Sequence, residues 1–476
     1  MTRSYPVFRA ACAEFSSEKG MLLFYGLSIA ITGIIVPIVT RGIEAALTIG
    51  ALLTAILLRP LLSDSLAGER EHRTLETLLS SPLSGSSIIW RKFQFCCLFA
   101  VSYFTLTLFC SALTYFLVRG EPALLPWQWL GVMVLAVLNY SAICFAGVYA
   151  SSTSGDMRAA NSRVSWMAYP LGLLFVVCLG VIANADWLSA MAVGTVCAQI
   201  YLSVLTVYSV KVARMKQPDF FKPGTTRRPE RGYKHRASSM LPRPKSQYGI
   251  VLKFEWKALM ALKSLLLSFG LLCFSPVALV CLLLYFTGTF DLNYAVILTV
   301  LLIPRVPSNL IAYSIGGEKV YKTGEALLST PLQLRPVLLA KCTVPVLVTA
   351  AMLAVSSLLT WAGIRMIPLL MPELAPIPGY TVLQLILLFP VSLLSSMSMI
   401  LIAAILSVRL RTPRHGLYAT SLLSFLFVLP VLAILYLAPD PLLWALIYSA
   451  ILLLGDLICL MKISDHITRP QVMSRL

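Results

Sequence analysis

Twelve apolar runs, each close to the length that crosses a bilayer, leave this chain little choice of fold. They lie at Met21–Thr40, Ala45–Leu62, Phe93–Val118, Trp127–Ala150, Trp166–Ala183 and Leu188–Val210, then at Leu265–Phe286, Tyr294–Tyr313, Thr343–Ile364, Val382–Val408, Leu417–Leu437 and Leu442–Met461. About 20 apolar residues suffice to span a membrane as a helix. Backbone groups in lipid must find partners within the segment, so the runs are expected to be α-helices. Composition agrees: 58% of residues are hydrophobic and 12% charged, against about 25% charged in soluble chains. The expectation is an all-α polytopic membrane protein with 12 transmembrane helices, arranged as two parallel six-helix repeats with pseudo-two-fold symmetry.

The positive-inside rule orients the runs. With the N-terminus in the cytosol, 35 of the 38 Lys and Arg fall on the cytosolic side, and only Arg41, Arg119 and Arg365 face out. Acidic residues divide 14 in and 6 out, so the net charge of +18 mostly records topology and gives no support for a nucleic-acid partner. The expected organisation is a first six-helix half at 1–214, a basic cytosolic linker at 215–247 and a second half at 248–476, with both termini cytosolic in a bacterial-type inner membrane. The stretch Lys211–Gln247 holds eleven Lys and Arg against Asp219 and Glu230. It reads as a tether, with anionic lipid headgroups as a second use. The polar first twenty residues, followed by a full-length apolar run, do not resemble a cleaved leader. The eleven cysteines lie mostly in apolar stretches without a CxxC pair, and the four histidines do not cluster, so neither a metal site nor a cofactor is expected.

One feature of the sequence is not explained by hydropathy. Residues Ser65–Lys92 read SLAGEREHRTLETLLSSPLSGSSIIWRK, and Ser314–Lys341 read SIGGEKVYKTGEALLSTPLQLRPVLLAK. The two align without a gap at an offset of 249, with 11 of 28 positions identical, among them Gly68/Gly317, Glu69/Glu318, Thr74/Thr323, Glu76/Glu325, Pro82/Pro331 and Lys92/Lys341. Each copy falls between the second and third run of its half, on the expected cytosolic side. Six spans per half make the halves parallel repeats about an axis along the membrane normal, to which a symmetric cytosolic partner could dock.

Local chemistry suits such docking. Glu69 and Glu76, like Glu318 and Glu325, are seven apart and share a face on any continuous helix. Leu75, Leu78 and Leu79 give a short apolar stripe. Pro82 and Pro331 should end each helix, because the residue before proline avoids the α region. The competing structural reading is a surface helix that only anchors the loop.

These residues resemble the type-2 ABC exporter permease family. The first copy matches its pattern at Gly68-Glu69-Arg70, Thr74-Leu75-Glu76, Leu78-Leu79, Ser81-Pro82-Leu83 and Lys92; the second departs at Lys319 and Gly324. The resemblance implies a coupling helix at each copy and a separately encoded ATPase, two copies per chain. The coupling residues it implies are Glu69, Arg70, Arg73, Thr74, Leu75, Glu76, Leu79 and Pro82, with Glu318, Lys319, Thr323, Glu325, Leu328 and Pro331. Ser151–Ser154 with Arg158 and Arg163 resemble the family's second cytosolic loop, and plain positive-inside anchoring explains them equally well.

The chain has no GxxxxGK[ST] phosphate loop, so any ATP hydrolysis belongs to a partner and the chain itself is expected not to be an enzyme. Arg59 and Arg305 lie toward cytosolic ends, where long side chains can snorkel. Asp456 sits close to Lys462 at another such end. Asn139, Ser395 and Asp456 are the candidate pathway residues, with helix packing by small polar groups as the alternative for the first two. The scarcity of mid-membrane carboxylates argues for energy supplied from outside the lipid and for an amphipathic or hydrophobic cargo: a drug, a lipid-like molecule or a peptide. The alternatives are a twelve-span ion-coupled transporter of the major facilitator type and a non-transporting membrane scaffold.

Overall fold

The computed structural model describes residues 19–40, 43–71, 74–75, 84–184, 187–215, 247–261, 263–287, 292–304, 310–311, 314–315, 334–370, 379–409 and 413–466. These are helical almost throughout, with no strand among the described residues. The helices are α1 (Lys19–Ala30), α2 (Val36–Thr40), α3 (Ile43–Asp64), α4 (Ala67–Glu71), α5 (Gly85–Arg119), α6 (Pro126–Thr153), α7 (Met157–Asn184) and α8 (Trp187–Ala213). They continue as α9 (Gln247–Ala261), α10 (Lys263–Thr287), α11 (Leu292–Leu302), α12 (Leu334–Leu370), α13 (Val382–Ile386), α14 (Ser392–Arg409), α15 (Pro413–Tyr436) and α16 (Pro441–His466). Single π turns join α1 to α2 at Ile31–Ile35 and α13 to α14 at Leu387–Val391.

Eight helical segments among the described residues are long and apolar enough to cross a membrane: Ala46–Glu71, Gly85–Arg119, Pro126–Thr153, Met157–Ala183, Trp187–Ala213, Pro336–Met366, Val382–Leu406 and Pro441–Met461. Each overlaps one of the expected runs. Three more of those runs appear as shorter apolar helices, Tyr25–Thr40, Leu266–Ala278 and Leu426–Tyr436. Of the run at Tyr294–Tyr313, α11 is helical and several later residues lie outside the described ones.

Helix ends follow local chemistry. The Ser84 side chain accepts from the Ser87 backbone N–H at 3.3 Å to start α5. Gly120 stops it in the left-handed region at φ 74°, its N–H bonded to the Phe116 carbonyl. Proline at the first position opens α6 without loss of a backbone donor. At Leu387–Val391, Pro390 has no N–H to give, and the helix widens by one residue; the Ser392 hydroxyl then bonds the Leu387 carbonyl at 2.8 Å.

The chain divides into two compact units, Met1–Thr226 with Cys281–Phe290, and Arg227–Val280 with Asp291–Leu476. In the first, α3 is the central helix, packed on α5, α6 and α7. Its Leu53, Ile56, Leu57, Leu58 and Leu62 are fully buried. Phe104, Tyr140 and Phe175, from α5, α6 and α7, meet with ring centroids 5.4–5.7 Å apart. Arg59 on α3 does not snorkel: it is 4% exposed, its guanidinium hydrogen-bonded to the Tyr169 hydroxyl and 4.8 Å from that ring's centroid. Packing on α7 supplies the partner that the end of a lipid-facing helix would have left to water.

In the second unit, α14 packs on α12, α15 and α16, and α9 lies along α12. One core cluster joins Ile311, Ile315, Leu338 and Cys342 to Ile400, Leu401, Ala403 and Ala404. A smaller one joins Val251 of α9 to Val337 and Ala340 of α12.

Candidate functional site

The first repeat copy begins where α3 ends. Two residues, Ser65 and Leu66, separate α3 from α4, and a side chain from another helix partners the backbone groups at this break. Ser151 Oγ, on α6, accepts from the Leu66 and Ala67 N–H groups at 3.1 and 2.9 Å and donates to the Ser63 carbonyl at 3.0 Å. It thereby caps the start of α4 and the end of α3 at once. At Gly68, the second residue of α4, a Cβ would stand 1.8 Å from Asp64 Oδ1, so a larger residue there would require the Asp64 carboxylate to move.

From α4 three charged side chains go three ways. Glu69 accepts from Lys92 Nζ of α5 at 2.8 Å and from the Thr74 hydroxyl. Arg70 donates to the Ser152 carbonyl at 3.0 Å and to the Ser154 carbonyl, two acceptors left open at the C-terminal end of α6. Glu71 accepts from the Met157 N–H at 2.8 Å, placing a carboxylate at the N-terminus of α7. Arg163 of α7 completes the junction by donating to the Thr153 carbonyl at 3.2 Å. The segment is thus a brace that fastens the ends of α5, α6 and α7 to the end of α3.

Glu69 and Arg70 are half-buried, Thr74 is exposed and Leu75 is buried. Thr74 is not helical: its N–H and hydroxyl both return to Glu69, ending the turn locally. A single continuous helix from Glu69 through Glu76, which the seven-residue spacing would need to put both acids on one face, is therefore not formed. Arg73, Glu76, Leu79 and Pro82 lie outside the described residues, as do Glu318, Lys319, Thr323, Glu325, Leu328 and Pro331.

What frames the second copy is described. Lys341, the counterpart of Lys92, donates to Glu255 of α9 at 2.7 Å and to Ser314, the counterpart of Ser65, at 2.7 Å; Ser314 bonds Glu255 at 3.1 Å. Glu255 carries no sequence signal beyond being the one acid of an amphipathic helix. Ser151, Ser152 and Ser154 stand out in the sequence as a polar segment after the fourth run, without a sign of what they bond. Their bonds to residues 63–70 join positions more than eighty apart in the chain.

The candidate pathway residues lie elsewhere. Asn139 on α6 is fully buried, with both amide atoms lacking a partner. Ser395 is buried and donates to the Ser392 carbonyl at 3.0 Å. Asp456 is 2% exposed and accepts from Ser398 of α14 at 2.5 Å. Among the described residues no group of His, Cys, Asp and Glu could hold a metal ion.

Long apolar helices with buried polar contacts between them define the class: a helical, multi-pass membrane protein. The chain matches no protein-family model and no curated protein.

Proposed function

We propose that this chain is the membrane permease of an ATP-driven exporter, two six-helix halves in one polypeptide, driven by a separate ATPase that binds once to each half. The observation that carries this reading is the ungapped repeat: 11 identities in 28 positions that include glutamate, glycine and proline, at one offset of 249. The brace supports the reading as well. A push on α4 would be felt by α5 through Lys92 and by α6 through Arg70, so a motor seated there would have a rigid handle on several spans. The cargo in this reading is hydrophobic or amphipathic, and the repeats face the cytosol.

The test is coexpression of the chain with an ATPase subunit, pull-down of the complex and substrate-stimulated ATP hydrolysis. Glu76→Arg combined with Glu325→Arg should abolish complex formation and transport while leaving insertion intact. Undiminished export in that double variant would rule the reading out. A second reading, an ion-coupled transporter, is favoured by one observation, the burial of Asp456 within an apolar helix; transport that persists in ATP-depleted vesicles under an ion gradient would select it.

A further inference from the structure

The second unit holds a polar seam inside apolar helices. Thr349 Oγ1 of α12 and Ser396 Oγ of α14 are 2.9 Å apart, Ser395 bonds the Ser392 carbonyl, and Ser398 bonds Asp456 Oδ1 at 2.5 Å. These hydroxyls satisfy one another or the backbone, as small polar residues between membrane helices commonly do. Asp456 does not fit that pattern. Its Oδ2 is buried without any hydrogen-bond partner, and the residue lies within the apolar stretch Pro441–Met461. At 1.5 Å per residue it stands about 22 Å along α16 from Pro441.

A charged carboxylate in such a place needs a cation or several donors. Among the described residues neither is supplied: Ser398 is the one donor to the carboxyl, and Oδ2 has no partner. On α16 the positions that share its face at three, four and seven residues are Ser449, Leu452, Leu453, Cys459, Leu460 and Ile463, none of them basic. The next basic residue in the sequence, Lys462, is six positions on and so is not among these. Against α16 pack α13, α14, α15 and the Leu387–Val391 turn. On α13 and the turn there is no titratable residue, and on α14 none before Arg409. On α15 there are Tyr418 and Tyr436, with Arg414 and His415 in its first turn. On α16 itself Tyr448 donates to the Phe427 carbonyl, and Cys459 packs on the Ile400–Ala404 cluster. A metal cation would need about six oxygen ligands; among the described residues, Ser398 is the one oxygen bonded to the carboxylate. A proton needs one.

We propose that Asp456 and Ser398 form a proton-binding site between α14 and α16. The proton is carried on Oδ2, while Oδ1 accepts from the Ser398 hydroxyl. Binding adds one proton from water to Oδ2 and changes no other bond. Parting of α14 from α16 would admit water to the carboxyl and release the proton, so the site links proton occupancy to closure of this helix pair. The proposal does not depend on the ATPase reading.

The test is infrared spectroscopy of the full chain in lipid nanodiscs at pH 7. A carbonyl stretch of a protonated carboxylic acid is expected in the wild type. It should disappear in Asp456→Asn and move to higher frequency in Ser398→Ala, where the hydrogen bond to that carbonyl is gone. Absence of the band in the wild type overturns the proposal, as does a band that neither substitution alters. If Asp456→Asn fails to fold, the shift in Ser398→Ala still decides. Because no ATPase is present, failure here leaves the motor reading untouched, and failure of the pull-down leaves this one untouched.

Discussion

Lys92 Nζ lies 2.8 Å from Glu69 Oε1, so the last charged residue of the first repeat copy closes back on one of its first. The two side chains are 13% and 24% exposed, which keeps water from screening them fully. Both positions are identical in the second copy, where Lys341 donates to Glu255 of α9, a helix outside the repeat, at 2.7 Å.

The first prediction concerns that pair. Lys92→Met or Glu69→Gln alone should lower stability by about 1–2 kcal/mol, between a surface and a buried ion pair. The double variant should cost less than the sum of the two. Thermal unfolding in nanodiscs across the double-mutant cycle reads the coupling, and strict additivity would show that the contact contributes nothing.

Arg70 is predicted to hold the end of α6. Arg70→Ala removes two hydrogen bonds from a charged donor to the Ser152 and Ser154 carbonyls, each worth about 1.5–3 kcal/mol when intact. Amide hydrogen exchange over Ser151–Met157 should accelerate at least tenfold, with α8 unchanged. Unaltered exchange would mean that Arg70 does not brace this end.

Gly147 is predicted to be intolerant of a side chain. A Cβ there would stand 2.6 Å from Leu62 Cδ1 and 3.2 Å from its Cβ, where α6 crosses the fully buried part of α3. Gly147→Ala should cost about 1–3 kcal/mol through overpacking, read as a lower melting temperature. Adding Leu62→Ala should recover part of the loss from the clash, and a neutral single variant would contradict the close approach.

Glu255 is predicted to matter more than its exposure suggests. Lys341 is 4% exposed, so Glu255→Gln takes the carboxylate from a buried ammonium, a change that costs about 3–5 kcal/mol in buried pairs. Poor yield or a melting temperature lowered by 5 °C or more in detergent is the expected outcome. Glu255→Asp should restore part of it.

Hydropathy announced the long helices because span length is a property of one segment read alone. The repeat announced Glu69, Thr74 and Lys92 for the same reason: identity at a fixed offset needs no folding to be seen. It did not announce that Thr74 turns back on Glu69, because a side-chain bond to the backbone competes with the helix only at the moment the turn forms. Nor did it announce Ser151 or Glu255. A serine after a span and a glutamate on an amphipathic helix look the same whether or not another helix arrives with open donors.

The amino-acid order by itself settled that the chain is helical, apolar and built for a bilayer, and it marked two segments that hydropathy cannot explain. Which buried charge meets which partner was settled only in three dimensions, at Arg59 with Tyr169, Arg70 with the end of α6, Lys341 with Glu255 and Asp456 with Ser398. The reason is one of range. Burial and helix formation follow from neighbours within a few turns, whereas a polar group in a low-dielectric interior is satisfied by whatever side chain the packing of distant helices brings within 3 Å.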